Sequence, residues 1–255
     1  MLSQPTERNA FLSRLSAADW EILRPDLMPV ILSVGAYVYR AGGQVNEVIF
    51  PRSGLVIKRI RAGGEAGAGT VLIGRDGIVA GFLSTALAPA LCDAMVLVAG
   101  DGLRMQAAAF RRALESSPAM RSLAARFHAA MMAHAQQTAS CAITHSVEKR
   151  LSRWFLDIAD RTGVIDVPVL QSDLAKILGV QRTTVNFAVG QLERAGAIAS
   201  GRGRVRIADR SILERSSCEC YGRLRSYVAK LFAVAVVNET AAARPPAENF
   251  QVRAS

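Results

Sequence analysis

The sequence predicts an α+β protein with a strand-rich amino-terminal part and a helical carboxy-terminal part. Between Met28 and Met105, short runs rich in valine and isoleucine recur between glycines, a spacing typical of antiparallel sandwiches and barrels. From Ala107 to His145 no glycine interrupts the chain, which indicates a long helix. A length of 255 residues is sufficient for two domains that each bury a core.

The amino-terminal part begins with one or two short helices between Asn9 and Leu27, and Ser16 is a candidate N-cap. The predicted strands that follow are Pro29–Leu32, Tyr37–Tyr39, Glu47–Phe50, Leu55–Ile60, Thr70–Ile73 and Met95–Val98. The predicted turn glycines are Gly35, Gly42, Gly43, Gly54, Gly63, Gly64, Gly74, Gly77 and Gly100. We therefore expect a sheet structure with tight glycine turns.

The long helix carries a seam of residues at heptad spacing, and Pro118 fits its first turn. The seam consists of Met120, Ala124, Phe127, Met131, His134, Thr138 and Cys141. Periodicity alone leaves open whether this seam packs on its own domain or against a second copy of the chain. His134 is interpreted as a packed helix histidine rather than a metal ligand.

Composition and charge narrow the possible functions. Hydrophobic residues make up 51% of the chain and charged residues 20%, as in a folded protein. No apolar run approaches the roughly 20 residues that a membrane span requires, and the amino terminus lacks a secretory pattern, so we expect a cytoplasmic protein. Of the net charge of +10, most comes from residues 146–255, which hold 17 basic and 11 acidic residues. This clustering favours a polyanion partner for the carboxy-terminal part.

The four cysteines, Cys92, Cys141, Cys218 and Cys220, are scattered along the chain, so a disulfide framework is not expected. Cys218 and Cys220 are too close in sequence for an unstrained mutual disulfide, and two ligands do not complete a metal site. His145 has no partner close in sequence. We therefore interpret the cysteines as structural or incidental, and expect no cofactor and no metal.

The segment from residue 169 to residue 198 carries the strongest functional signal. Its apolar positions are Leu174, Ala175, Leu178, Val180, Val185, Val189 and Leu192. Gly179 permits a tight turn between two short helices, and Ala175 is small because the helices cross closely there. The spacing predicts a helix-turn-helix with helices over Gln171–Leu178 and Gln181–Ala195.

Polar side chains face away from this core at the start of the second helix, namely Gln181, Arg182, Thr183, Thr184 and Asn186. Arginine reads guanine bidentately, and glutamine or asparagine reads adenine. The hairpin at residues 199–207 then carries Arg202 and Arg204 and predicts a wing along DNA phosphates. Amphipathic helices and basic hairpins are each common alone, but their conjunction in this order favours DNA binding over a structural role.

The chain from Phe11 to Tyr221 resembles the catabolite-activator (Crp-Fnr) family of transcriptional regulators. The resemblance rests on Gly35-x-x-x-Tyr39-x-x-Gly42, on Phe50-x-x-x-Gly54-x-Val56, on the helix from Pro118 and on the winged segment Val147–Ile207. It implies a double-stranded β-helix domain similar to cyclic-nucleotide-binding domains (1–117), a dimerisation helix (118–145), a winged helix-turn-helix DNA-binding domain (146–222) and a partly disordered extension (223–255). It also implies a homodimer on double-stranded DNA, with RNA polymerase as a further partner.

The resemblance transfers to individual residues only in part. Arg182 matches the base-reading arginine of the family, and Gln171 lies where the first helix approaches a phosphate. Thr183 and Phe187 stand where the best-known members have glutamate and a second arginine, so their operator sequence is not expected here. Leu170 replaces the usual hydroxyl N-cap of the first helix, which leaves Ser172 or the preceding loop to cap it.

The amino-terminal domain departs further from the family pattern. Cyclic-nucleotide binders use a Gly-Glu pair on the ribose and an Arg-Ser pair on the phosphate, whereas residues 78–83 lack glutamate and no arginine lies between Arg75 and Arg104. We therefore expect no cyclic-nucleotide binding. The oxygen sensors of the family carry an amino-terminal cysteine cluster, whereas the first cysteine here is Cys92, so no such iron–sulfur cluster is expected.

Two other classes of protein are alternatives to the DNA-binding regulator. One is a ligand- or protein-binding sensory module whose helix-turn-helix no longer binds DNA. The other is an enzyme, but the sequence shows no nucleophile–base pair, no metal-ligand spacing and no phosphate loop. We therefore expect a protein that is not an enzyme.

Overall fold

The computed structural model describes residues 8–60, 67–81, 86 and 88–233. An amino-terminal β-domain, a long helix and a helical carboxy-terminal domain follow one another along the chain. The predicted turn glycines Gly63 and Gly64 lie outside the described residues. No helix of the described part is long and apolar enough to cross a membrane.

The β-domain opens with a 3-10 turn at Leu12–Arg14, helix α1 at Ala17–Leu23 and a second 3-10 turn at Arg24–Asp26. Ser16 is the N-cap of α1, as predicted, and its hydroxyl accepts the N–H of Asp19 at 3.1 Å. The strands are β1 (Met28–Leu32), β2 (Tyr37–Tyr39), β3 (Glu47–Pro51), β4 (Leu55–Arg59), β5 (Gly69–Ile73), β6 (Asp93–Val98) and β7 (Gly100–Gln106). They form two antiparallel sheets, in the orders β1-β7-β3 and β2-β6-β4-β5.

Strand β7 was not predicted, because its sequence begins Gly-Asp-Gly and these residues are rare in strands. Gly100, expected in a turn, is the first residue of this strand. A Cβ atom at Gly100 would lie 2.4 Å from the backbone nitrogen of Gly54, and one at Gly102 would lie 2.7 Å from the carbonyl oxygen of Phe50. Glycine therefore permits β7 to lie close to β3 and to the turn that follows β3.

Two helices follow the β-domain, α2 (Ala107–Ser116) and α3 (Pro118–Thr144). They are separated at Ser117, whose hydroxyl accepts the N–H of Met120 at 3.0 Å and caps α3. Met120 and Phe127 are buried in the core of the β-domain, where Phe127 lies edge-on to Phe11. The predicted heptad seam of α3 thus packs on the chain itself.

The carboxy-terminal domain contains α4 (Val147–Thr162), β8 (Asp166–Val167), α5 (Gln171–Leu178), α6 (Arg182–Arg194), β9 (Ile198–Gly201), β10 (Arg204–Ile207), α7 (Arg210–Ser216) and α8 (Cys220–Ala233). Its three strands form a sheet in the order β8-β10-β9. Gly163, predicted to end α4, has a φ of 73° in the left-handed region that suits a C-cap.

Helix α8 runs back along α3 towards the β-domain. The ring of Phe232, near its end, lies 4.6 Å from the ring of Phe127. Helix α8 begins before residue 223, where the carboxy-terminal extension was predicted to start. Residues 234–255 of that extension lie outside the described residues.

Candidate nucleic-acid interface

The predicted helix-turn-helix is formed by α5 and α6. Gly179 ends α5 with a φ of 65°, a left-handed conformation that glycine adopts without steric cost. The carbonyl oxygen of Ala175 accepts the N–H of Val180 at 3.0 Å, which closes the turn. Ala175 is buried, in agreement with the small residue that the helix crossing requires.

Helix α6 divides into a buried and an exposed face. Val185, Val189 and Leu192 are buried in the core of the domain. The exposed residues at its start are Gln181, Arg182, Thr183, Thr184 and Asn186. Gln181 is the N-cap rather than the first helical residue, since its backbone is extended and its carbonyl accepts the N–H of Val185 at 3.2 Å. All five predicted DNA-binding residues at the start of α6, among them the proposed base readers Gln181 and Arg182, are therefore exposed to solvent.

Phe187 extends this exposed face, and the sequence reasoning missed it as a candidate contact. Its side chain is 65% exposed although phenylalanine is usually buried. An apolar side chain in the major groove can contact the methyl group of thymine. The sequence could have indicated this contact, because Phe187 is an aromatic residue that lies outside the apolar positions Val185, Val189 and Leu192 of α6.

The first helix and the wing meet α6 around one cleft of about 420 Å³, which Gln171, Arg182 and Arg204 help to line. Leu170 is the N-cap of α5 and provides no side-chain cap, and Ser172, the alternative that the sequence suggested, lies inside the helix. The start of α5 thus has no capping side chain, although the carboxylate of Asp173 in its first turn offsets part of the helix dipole. Gln171 is the first residue of this helix.

The wing is the hairpin of β9 and β10, with Gly203 in the left-handed region at its turn. Arg202 is exposed in the turn, and Arg204 follows on the first position of β10. A guanidinium nitrogen of Arg204 lies 3.0 Å from a carboxylate oxygen of Asp166. Because both side chains are largely exposed, this pair contributes little stability and leaves Arg204 able to bind another anion.

A buried arginine joins the carboxy-terminal domain to the rest of the chain. Arg161 of α4 lies 3.0 Å from a carboxylate oxygen of Asp76 and 3.3 Å from one of Asp157. Burial lowers the pKa of Arg161, but the carboxylates of Asp76 and Asp157 outweigh this effect and raise it. The side chain is therefore held charged between the β-domain and α4.

His134 of α3 belongs to the same network and was predicted to be a packed histidine. A terminal nitrogen of Arg161 donates to its Nε2 at 2.8 Å. Burial and the charge of Arg161 lower the pKa of His134 to about 3. The imidazole is neutral at physiological pH and serves as the acceptor.

The structure also brings together four side chains that the sequence reasoning did not connect, those of Cys141, His145, Cys218 and Cys220. Their Sγ and imidazole nitrogen atoms all lie within 4.8 Å of one another. The sequence reasoning considered only Cys218 and Cys220, because the other two side chains lie more than 70 residues away along the chain. The sequence feature that could have pointed to the cluster is the spacing of four residues between Cys141 and His145. In the predicted helix, this spacing places both side chains on one face.

A comparison with family models matches residues 149–216 to the Crp-like helix-turn-helix domain. This part of the chain is therefore similar to the Crp-like helix-turn-helix domain. The matched residues include α5, α6 and the wing, which are the elements that form the helix-turn-helix and its hairpin in the structure. No curated protein is similar to the chain in a sequence search.

Solved structures of Crp/Fnr regulators have the fold of this chain. A transcriptional regulator of the crp/fnr family from Eubacterium rectale is 14% identical, with a TM-score of 0.64 over 81% of this chain and 96% of its own. FixK2 from Bradyrhizobium japonicum is 14% identical, with a TM-score of 0.62 over 75% of this chain and 98% of its own. The c-di-GMP-responsive global regulator CLP of Xanthomonas campestris is 13% identical, with a TM-score of 0.63 over 76% and 100%.

These likenesses extend to the architecture of the described part of the chain. It has the Crp-Fnr fold, with an amino-terminal antiparallel β-domain, a long helix and a carboxy-terminal helix-turn-helix. The predicted fold class is therefore confirmed.

Proposed function

We propose that the protein is a DNA-binding transcriptional regulator of the Crp-Fnr type that inserts α6 into the major groove. The observation that carries this proposal is the division of α6, whose apolar face is buried while the polar side chains of its first two turns are exposed. A recognition helix needs this arrangement, since the buried half fixes its orientation and the exposed half contacts base edges. The Crp-like helix-turn-helix domain supports the same function.

In this proposal, Arg182 and Gln181 read bases, because their long side chains extend from the first exposed turn of α6. Thr183, Thr184 and Asn186 lie on the same exposed surface and contribute further contacts to bases or phosphates. These five residues, together with Phe187, Gln171, Arg202 and Arg204, are called the recognition surface below.

Three further members of the recognition surface, Gln171, Arg202 and Arg204, bind phosphates. Gln171 stands at the uncapped start of α5, where backbone N–H groups and the helix dipole favour an anion. Arg202 and Arg204 lie on the wing, on the other side of the cleft from α5. A duplex seated over the cleft would therefore meet backbone and side-chain hydrogen-bond donors of α5 on one side of α6 and the arginines of the wing on the other.

We further propose that the protein binds DNA as a homodimer through the outer face of α3. This face repeats at heptad spacing and is distinct from the seam that packs on the chain itself, and its members are Ala125, Ala129, Met132, Gln136, Ala139 and Ile143. Met132 and Ile143 are 47% and 89% exposed, although both are large apolar residues. Two-fold symmetry through α3 would place two recognition helices on half-sites about 10 base pairs apart.

A regulator of this kind acts on double-stranded DNA in the cytoplasm without enzymatic activity, and RNA polymerase is its expected further partner. The binding experiment is selection of fragments from random DNA by the full-length protein, followed by titration of the enriched duplex. We expect enrichment of a roughly palindromic site and affinity that falls steeply with salt. Absence of enrichment, together with no salt-dependent shift of duplex DNA, would instead favour a sensory module that does not bind DNA.

A further inference from the structure

The four side chains of Cys141, His145, Cys218 and Cys220, called the Cys–His cluster below, form a convergent set of soft donor atoms. The Sγ atoms of Cys141 and Cys218 are 3.9 Å apart, and the Sγ of Cys220 lies 3.3 Å from Nε2 of His145. The three cysteines are almost fully buried, and they form a cluster separate from the three larger apolar cores of the described residues. Three thiols and an imidazole thus share one small polar space.

We propose that the Cys–His cluster binds one zinc ion in tetrahedral coordination. Structural zinc sites use four cysteine or histidine ligands, and three cysteines with one histidine is a common set. Zn–S bonds of about 2.3 Å place tetrahedral ligand atoms about 3.8 Å apart. The separations in the cluster bracket this value, so that a single ion fits with small adjustments of the side chains.

The close spacing also distinguishes between metals. Thiolate and imidazole ligands select zinc or an iron–sulfur cluster over magnesium or calcium. An iron–sulfur cluster contains several iron atoms and holds its ligands further apart than one ion does. Since all four donor atoms lie within 4.8 Å of one another, the geometry points to a single ion.

The surroundings of the Cys–His cluster fit a charged metal complex. Three thiolates and one zinc ion carry a net charge of −1, and the guanidinium groups of Arg150 and Arg153 interact electrostatically with the cysteines. The amide of Gln137 donates to the Sγ of Cys141 at 3.4 Å, as outer groups commonly do to metal-bound sulfur. The carboxylate of Glu219 lies 3.8 Å from Nε2 of His145, but its side chain is 64% exposed, so we place it outside the ligand set.

Zinc binding at this place displaces protons. Burial raises the pKa of Cys218 and raises that of Cys220 to about 12, and neighbouring thiols add to both effects. Each cysteine that binds zinc exchanges its S–H bond for an S–Zn bond and releases one proton to solvent. The positive charge of the zinc ion offsets the repulsion between the three neighbouring thiolates.

The position of the ligands gives the zinc ion a mechanical role. Cys141 lies in the last turn of α3 and His145 directly follows that helix, whereas Cys218 precedes α8 and Cys220 is its first residue. The whole helix-turn-helix domain, residues 149–216, lies between the two ligand pairs in sequence. The ion would therefore tie both ends of this domain to the end of α3, and would do so whether or not the protein binds DNA.

The test begins with the metal content of full-length protein that is purified without a histidine tag or chelator under reducing conditions. Elemental analysis is expected to find close to one zinc ion per chain. C218S and H145A are expected to lose most of it. C92S is the matched control, because Cys92 is half-buried in the β-domain and outside the cluster, and it is expected to keep the full zinc content.

A second measurement covers the case in which ligand variants fail to fold. Cobalt exchanged into the wild-type protein is expected to give the visible absorption of a tetrahedral site with thiolate ligands. Q137L keeps all four ligands and is expected to bind zinc about 10-fold more weakly in a chelator competition.

Four results would overturn the proposal. Wild-type protein that neither contains zinc nor binds zinc or cobalt would do so, as would C218S with an unchanged zinc content. Iron and inorganic sulfide in place of zinc would replace the single ion by an iron–sulfur cluster. A disulfide between Cys141 and Cys218 in protein whose thiols were blocked at lysis would show that these side chains are not metal ligands.

Discussion

The recognition surface and the junction between α3 and the carboxy-terminal domain are built in opposite ways. The recognition surface comes from one stretch of about 35 residues, and its side chains are mostly exposed. The junction, meaning the network of Arg161 and the Cys–His cluster, joins residues far apart in sequence and buries charged and thiol groups. Substitutions should therefore affect DNA binding at the recognition surface and stability at the junction.

The largest expected effect belongs to Arg161→Ala at the junction. This change removes the partner that Asp76 and Asp157 share, although Asp157 keeps its ion pair with the buried Arg153 at 3.4 Å. We therefore expect a loss of about 2–3 kcal/mol in the free energy of unfolding. Urea denaturation measures it. Arg215→Ala, at an exposed position of α7, is the matched control and should change stability by less than about 0.5 kcal/mol. A loss below about 1 kcal/mol for Arg161→Ala would show that the network does not hold the junction.

His134 gives the junction a defined pH dependence. Its pKa is about 3 in the folded chain, whereas a histidine side chain in water has a pKa of 6.5, so the unfolded chain binds more protons between these limits. The contribution of His134 to stability is therefore complete above pH 6.5 and is lost as the pH falls towards 3. His134→Gln keeps an acceptor for Arg161 without titrating, and should reduce the slope of stability against pH by up to about 1.4 kcal/mol per unit. An unchanged slope in denaturation series between pH 4 and pH 6 would contradict this assignment.

At the recognition surface, Arg182→Ala should weaken binding to the selected duplex by about 1–3 kcal/mol, because one arginine contact to guanine is lost. The variant should also discriminate less between the selected base and the other three bases at the contacted position. Unfolding free energy should stay within about 0.5 kcal/mol of the wild type, since the side chain is exposed. Fluorescence titrations with duplexes substituted at single positions measure the affinity and the base preference. An unaltered base preference would show that Arg182 does not read bases.

The smallest expected effect is that of Arg202→Ala on the wing. A phosphate contact carries no sequence information, so binding should weaken equally for selected and unrelated duplexes. The slope of log affinity against log salt should become shallower by about one. A change in base preference, or an unchanged slope, would show that Arg202 does not contact the backbone in the way proposed.

Local patterns were sufficient to predict the helix-turn-helix and the hairpin that follows it, although not the contact proposed for Phe187. The apolar spacing of α5 and α6, the turn at Gly179 and the arginine hairpin are all contiguous, so the fold adds little to what the sequence shows. The strands of the β-domain were predicted for the same reason, except β7. There, close backbone approach at Gly100 and Gly102 overrides their low strand propensity, and nothing in the local sequence shows which strands flank them.

The junction could not be predicted from sequence, because its contacts depend on how α3, α4 and α8 pack together. The seam of α3 was visible, but its partner was not, and the structure shows that Met120 and Phe127 pack within the chain. Cys141 and His145 likewise form a site only when α8 brings Cys218 and Cys220 beside them. The predicted DNA contacts and the dimer through α3 stay predictions that binding experiments decide.

The most direct test of the proposed function compares the affinity of the full-length protein for its selected duplex with that for a scrambled duplex of equal length, at one physiological salt concentration. A transcriptional regulator that reads bases through α6 should bind the selected duplex at least about 10³-fold more tightly. Equal affinity for the two duplexes would contradict sequence-specific recognition and with it the central claim.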